Sequence, residues 1–374
     1  MIATMSGFDG RVERSRLEIF CQPGRRVDHP ILPRAARICP ARGERHFEAD
    51  PQKVQRIDTP REKCLFCGGK HPSVLAFVDR RMETVIPDEE GSFRVAETWL
   101  KGRDRSRIQT YYELTSQLQQ YNDISASHLV RVFWNLTPAV VSTEEACFVS
   151  AVHPTYHDDD LSTIWPAVPA AMVRSWQLVE TWAVSKGMTA VSFINGGRRS
   201  PSGQSVACPH GQTYVVQQSP TLFKAIRAYR NAQWEGNCPI CMGALDPNLL
   251  VWTDDSGAID LVADPAPIHN WSLLVLPRRH GSLLASVDPV AFGAAIQTAV
   301  KAWRGIFTVE PALNVLIRSG EDVGHVFAEL VPRTETNVLA GFELDTQDHV
   351  ITVPPEFVAE KCKAAIGQPG WSGH

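Results

Sequence analysis

Ala207-Cys208-Pro209-His210-Gly211-Gln212 stands between two runs of strand character. Upstream, residues 189–194 are β-branched and apolar, and the loop 195–203 that follows carries three Gly, a Pro and two Arg. Downstream comes Thr213-Tyr214-Val215-Val216. Side chains alternate faces along a strand, so Cys208, His210 and Gln212 are expected on one face, Pro209 and Gly211 on the other. A soft metal ligand, a nucleophile or base, and an amide donor would then stand in a row. Gly211 would let something large approach the backbone. Taken alone, the plainer reading is a Cys and a His that merely pack; the rest of the chain argues for chemistry.

Working outward, the same pattern occurs twice. The first half holds Cys64-Leu-Phe-Cys67-Gly-Gly, strands over 129–134 and 147–152, and His153-Pro-Thr-Tyr-His157. An amphipathic helix over 161–186 follows, then the strand, loop and strand around Cys208. A connecting helix over 219–233 leads to Cys238-Pro-Ile-Cys241-Met-Gly, a strand over 271–277 and His280. A helix over 284–303, a strand over 313–319 and His325-Val-Phe327-Ala-Glu329 complete the second half. His157 precedes Cys208 by 51 residues, and His280 precedes His325 by 45. Elements recurring in one order at similar spacing mark an internal repeat. The expectation is an α+β fold of two tandem half-domains, residues 1–230 and 231–374, each a mostly antiparallel sheet with a packed helix.

The repeat nominates two ligand sets: Cys64, Cys67, His157 and Cys208, then Cys238, Cys241, His280 and His325. Each is a full tetrahedral shell for zinc, and a closed shell means a structural metal. His153 competes with His157 for the first set. Two residues beyond the sheet ligand the halves diverge, with His210 in the first and Phe327 in the second. Phe cannot act as a nucleophile, so chemistry is expected in the first half alone. Cys39-Pro-Ala-Arg42-Gly-Glu-Arg45 places two guanidinium groups three apart, either a solvated loop or a pair of phosphate clamps. Residues 88–127 are polar and look like an insertion.

Composition excludes some classes. The 374-residue chain has a formal net charge of -4, which argues against a nucleic-acid surface. No run reaches the ~18 apolar residues of a membrane helix, and no signal-like segment opens the chain, so a cytoplasmic location is expected. Nine cysteines, an odd number, argue against a disulfide framework. The Gly-containing turns after both C-x-x-C pairs suit zinc knuckles better than redox motifs.

From about Cys39 to about Pro355 these residues resemble the galactose-1-phosphate uridylyltransferase family of the histidine-triad (HIT) superfamily, including its ADP-sugar phosphorylase branch. The family motif is His-Pro-His-Gly-Gln or His-Ser-His-Ser-Gln, against Cys208-Pro-His210-Gly-Gln212. The resemblance implies a HIT-like fold, a zinc role for Cys208 and a nucleophile role for His210, with Gln212 and Ser205 in catalysis. It implies substrate contacts from Arg42, Arg45, Asn135, Asn195, Gly203 and Glu343. Gly197 belongs to the same loop motif, and Ala340-Gly-Phe-Glu343 resembles the sugar-contacting segment. His325-Val-Phe327 resembles the second-half strand of the two-zinc phosphorylase branch. The loop 195–208 is two residues longer than in the family and carries Arg198-Arg199.

The activity so implied is nucleotidyl transfer (EC 2.7.7.-) in nucleotide-sugar metabolism through a nucleotidyl-histidine on His210, with ping-pong kinetics. The partners implied are a nucleotide or nucleotide-sugar and a sugar phosphate, and the assembly a homodimer. A nucleoside-diphosphate-sugar phosphorylase or hydrolase, and a non-catalytic zinc-stabilised nucleotide-binding protein, are the alternatives. Uracil and adenine both remain open as the base.

Overall fold

The structure, a computed structural model, describes residues 24–40, 56–64, 66–67, 74–85, 128–135, 145–198, 200–234, 237–243, 245–334 and 341–367. Arg42, Arg45, Arg199, Ala340 and the expected insertion at 88–127 lie outside them.

Runs of Val, Ile, Leu and Phe between turn residues supply the strands. The first half holds β1 (Arg25–Asp28), β2 (Ala35–Ile38), β3 (Val74–Asp79), β4 (Thr84–Val85), β5 (His128–Trp134), β6 (Ala146–Val152), β7 (Thr189–Gly196) and β8 (His210–Val216). The second holds β9 (Leu250–Thr253), β10 (Ile259–Ala263), β11 (Leu273–Pro277), β12 (Leu313–Arg318), β13 (Phe327–Pro332) and β14 (His349–Ile351). Among the described residues, eleven of them form one sheet in the order β4-β3-β5-β6-β8-β7-β12-β13-β11-β10-β9. Apart from the edge strand β4, each half runs inward alike: β3-β5-β6-β8-β7 from one side, β9-β10-β11-β13-β12 from the other. The halves meet where β7 and β12 pair antiparallel, with Asn195 opposite Asn314. The internal repeat is thus one continuous sheet with two α+β half-domains.

Five α-helices are described: α1 (Ala167–Ser185), α2 (Thr221–Gln233), α3 (Pro289–Phe307), α4 (Gly341–Thr346) and α5 (Pro355–Ile366). α1 and α3 pack on each other across the junction. Trp176 of α1 and Trp303 of α3 are fully buried, as core residues rather than ligand contacts. The helix expected from residue 161 begins at Ala167, after Pro166, which sits at the N-cap. Likewise the expected 284–303 helix is a 3-10 turn at Leu284–Ser286, followed by α3 starting at Pro289. Proline suits a first helical turn, where its missing N–H costs no helical bond, and Asp288 caps α3 by accepting from Val290 N.

A small sheet, β1-β2-β14, joins chain ends through parallel pairing of β2 with β14. Arg34, in the β1–β2 turn, donates to Glu329 and, at 2.7 Å, to Asp264. Arg318 also donates to Glu329, which is 1% exposed. No described helix is long and apolar enough to cross a membrane.

Candidate active site and metal centres

Cys64, Cys67, His157 and Cys208 converge from the knuckle, the turn after β6 and the approach to β8. Cys238, Cys241, His280 and His325 do the same in the second half, and the donor atoms of each set lie within 4.8 Å of one another. In the first set Cys67 Sγ is 3.2 Å from His157 Nδ1 and 3.9 Å from Cys208 Sγ. In the second, Cys238 and Cys241 Sγ each lie 3.3 Å from a His Nδ1, and the two Nδ1 atoms are 3.3 Å apart. A tetrahedral zinc shell with ordinary bond lengths has edges of about 3.8 Å for S···S, about 3.6 Å for S···N and about 3.4 Å for N···N. Both sets fit a metal of that size.

The imidazoles are oriented for it. His157 Nε2 lies 2.7 Å from Thr59 O and His325 Nε2 lies 2.8 Å from Pro277 O. A carbonyl can only accept, so each Nε2 carries the proton and Nδ1 is left as the ligand atom. His153, the competitor for the first set, instead accepts from Thr155 N through Nδ1 and caps a 3-10 turn. In the thiol trio, hydrogen bonds from Cys208 and Cys67 pull Cys64 down to about 2, while the bond to Cys64 pushes Cys208 up. A bound cation would hold all three as thiolates.

His210 opens β8 and is 4% exposed. Its Nδ1 lies 2.9 Å from Cys208 O. That carbonyl fixes the proton on Nδ1 and leaves the Nε2 lone pair free. Burial lowers the pKa of His210 more than the bond to Cys208 raises it, so the ring is neutral near pH 7. One side of the ring packs against Phe66, at 4.7 Å between centroids, so the knuckle itself grips His210. The expected alternation holds from His210 onward, but Cys208 precedes the strand, its side chain in the ligand set. The large group admitted by Gly211 is Trp176: a Cβ at Gly211 would lie 2.7 Å from its ring.

A small cleft is lined by His210, Asn195, Gly197, Arg198, Gln204, Asp160 and Glu310, among others. Gly197 holds φ +79, and a Cβ there would collide with Pro311 O, so the loop lies directly against the second half. Asn195 accepts from Asn314 Nδ2 at 2.8 Å. Gln212 is partly buried two residues beyond His210 on β8, and Ser205 and Gly203 are exposed in the turn before it; none of the three lines the cleft. Asn135 turns its amide to Cys147 Sγ at 3.5 Å. Glu343 lies on α4, outside the cleft lining.

Several cleft residues were not among the expected site, and three of them shape it. Gln204 accepts from Arg198 N at 2.7 Å and donates to Val206 O at 2.8 Å, which shapes the loop. Arg198, singled out only as a departure from the family, is buried and donates to Asp158 O at 2.7 Å, beside His157. Glu310, from the second half, accepts from Leu161 N at 3.3 Å and Ser162 N at 2.7 Å. Burial, then the nearby Asp160 charge, raises its pKa to about 7. No local sequence signal marks Glu310, because its partners are 149 and 148 residues away.

No family model and no curated protein matches the sequence. Solved structures do match. An ADP-glucose phosphorylase from Arabidopsis thaliana, solved with bound ADP-glucose, is 17% identical, with a TM-score of 0.66 over 91% of this chain and 98% of its own. A GalT-like protein from Arabidopsis thaliana is 18% identical, with a TM-score of 0.65 over 91% and 99%. A uridylyltransferase is 18% identical, with a TM-score of 0.57 over 64% and 85%. The chain shares its fold with these phosphorylase, GalT-like and uridylyltransferase structures, as its repeat and its Cys208-to-Gln212 motif led one to expect.

Proposed function

We propose that the chain is a nucleotidyltransferase that moves a nucleoside monophosphate between phosphate acceptors of the sugar 1-phosphate class. The observation that carries this reading is the tautomer of His210, protonated at Nδ1 by its bond to Cys208 O, neutral, and set in the wall of the cleft. Nε2 attacks the α-phosphorus of a nucleotide-sugar; the P–N bond forms as the bond to the leaving sugar 1-phosphate breaks. A phosphate oxygen of the acceptor then attacks phosphorus, and the P–N bond breaks to regenerate neutral His210. The first step exchanges an anionic phosphate oxygen for the imidazole nitrogen and the second reverses that exchange with the acceptor's oxygen, so both need positioning and charge stabilisation more than proton transfer. Gln212, Ser205, Arg42 and Arg45 are assigned to the non-bridging oxygens, Asn135, Asn195, Gly203 and Glu343 to base and sugar.

The two Cys/His sets are assigned to zinc, held by closed four-ligand shells that tie each knuckle to the sheet. Residues 1–230 form the catalytic half. Residues 231–374 form a half whose β13 opens with buried Phe327 where β8 opens with His210.

A second reading, a nucleoside-diphosphate-sugar phosphorylase with inorganic phosphate as acceptor, is favoured by the ligand set in the second half and by the overlap with an ADP-glucose phosphorylase along nearly its whole length. One experiment separates the readings. The protein is incubated with UDP-glucose or ADP-glucose labelled in the α-phosphate, and an acid-labile adduct is sought and then chased. Release by a sugar 1-phosphate supports transfer, release by orthophosphate alone supports the phosphorylase, and no adduct with either nucleotide overturns both.

A further inference from the structure

The two metal centres differ in charge. Three thiolates and a neutral imidazole around a divalent ion leave one negative charge uncompensated; two thiolates and two imidazoles leave none. An uncompensated charge away from water is costly unless an opposite charge is buried beside it. The sole difference between the sets is that Cys208 stands in the first where His325 stands in the second.

The first centre has such a charge beside it. Arg131 lies mid-way along β5 and is 2% exposed. It stands opposite Ala151, which stands opposite His210, so Arg131 and His210 share one face of the sheet with only the small Ala151 between. Its guanidinium donates to the carbonyl of Phe66, one of the two residues between the knuckle cysteines. Among the described residues no carboxylate pairs with it, and its Nε has no hydrogen-bond partner. Cys67, Cys208 and Cys64 are the acidic groups that act on it electrostatically, beside the rings of His128 and His153. Near the second centre, the cations Arg278 and Arg279 are exposed, and Arg278 is spent on Asp260 at 2.8 Å.

We propose that Arg131 is the counter-charge of the first metal centre, and that Cys208 and Arg131 act as one electrostatic unit which neutralises a three-thiolate site beside the nucleophile. A buried unit charge a few ångströms away changes affinity by on the order of 10- to 100-fold.

The full chain can be loaded with cobalt(II), whose visible bands distinguish three-thiolate from two-thiolate coordination, and titrated with a chelator. The second centre serves as internal reference. Arg131→Met should weaken the first centre by roughly 10- to 100-fold relative to the second. Arg131→Lys, which keeps the charge without the fork, should stay within about threefold of the native chain on the same reasoning. The double variant Cys208→His with Arg131→Met, neutral again, should bind tighter than Arg131→Met alone. Native affinity in Arg131→Met overturns the proposal. So does an Arg131→Lys chain that fails to fold or loses metal as Arg131→Met does, since the hydrogen bond to Phe66 would then be what matters. A double variant no tighter than the single overturns it too. Should Arg131→Met not fold, the other two variants decide: both folded with the first centre filled supports the pairing, and any other result refutes it.

Discussion

At the scale of single residues, His210 and Gly211 divide the work. His210 has its proton fixed by a carbonyl and its ring fixed by Phe66, yet it belongs to neither ligand set. His210→Ala should therefore abolish the nucleotidyl adduct and slow turnover by on the order of 10⁴-fold or more while metal content stays native. Cys208→Ala should instead lose metal first and activity as a consequence. Adduct labelling and elemental analysis of both variants check this; an adduct surviving in His210→Ala would place the nucleophile elsewhere. Gly211 is needed for a different reason. Its missing side chain is the space that Trp176 fills, and Trp176 is fully buried and cannot retreat. Gly211→Ala should cost about 1–3 kcal/mol in denaturant unfolding. Because the displaced backbone is that of His210's neighbour, the rate of adduct formation should fall with it.

At the scale of elements, the segment between β6 and α1 is held from both sides. It carries His157 and the aspartates at 158–160, and Glu310 of the second half accepts from its Leu161 and Ser162 amides. Glu310 titrates at about 7, above the ordinary carboxylate value of about 4.3. A raised carboxyl pKa means that the folded state favours the proton. Its contribution is fully present below about pH 4.3 and is lost as pH rises through about 7. Glu310→Gln keeps an acceptor oxygen and removes the ionisation. The variant should unfold at a higher temperature than the native chain at pH 8 and at the same temperature at pH 4. A variant destabilised at pH 8 but not at pH 4 would show instead that the carboxylate is needed charged, as a clamp.

At the scale of the molecule, the two halves share one strand order but carry different residues at matching places. The place that holds Gln212 in the first half holds Glu329 in the second, locked between Arg318 and Arg34. Burial alone would raise Glu329, but the two guanidiniums outweigh it and hold it at about 2. A depressed carboxylate contributes stability that is present above its unfolded value of about 4.3 and lost as pH falls through about 2. The difference corresponds to about 3 kcal/mol. Glu329→Gln takes the carboxylate from Arg318 and leaves Arg34 with Asp264 alone, and should cost about 3–5 kcal/mol at neutral pH. Its stability should also vary less between pH 5 and pH 2 than that of the native chain, which acid-unfolding curves would reveal. An unchanged acid limb would mean that other carboxylates govern acid unfolding. Arg34 also docks the small β1-β2-β14 sheet on the larger one, so the change should expose that sheet first.

Much of this was legible in the sequence, for a physical reason. Groups that could hold a metal use few residue types at set spacings, so a C-x-x-C pair and a downstream histidine in each half marked the two clusters that the fold brings together. The alternating apolar runs of β7 and β12 likewise carried their strand character locally. What only the tertiary structure decided was the company those residues keep. Gln204 rather than Gln212 lines the cleft, because the loop 195–208 folds back on itself through side-chain bonds that have no period. Glu310 reaches the cleft from the other half, and Arg34 reaches Glu329 across 295 residues. Arg131, read along the chain, is a polar residue interrupting a strand; only the folded sheet sets it beside three thiols. Ligand chemistry is written in residue type and spacing, whereas the compensation of a buried charge depends on which distant surface covers it, and that is settled only when the chain closes on itself.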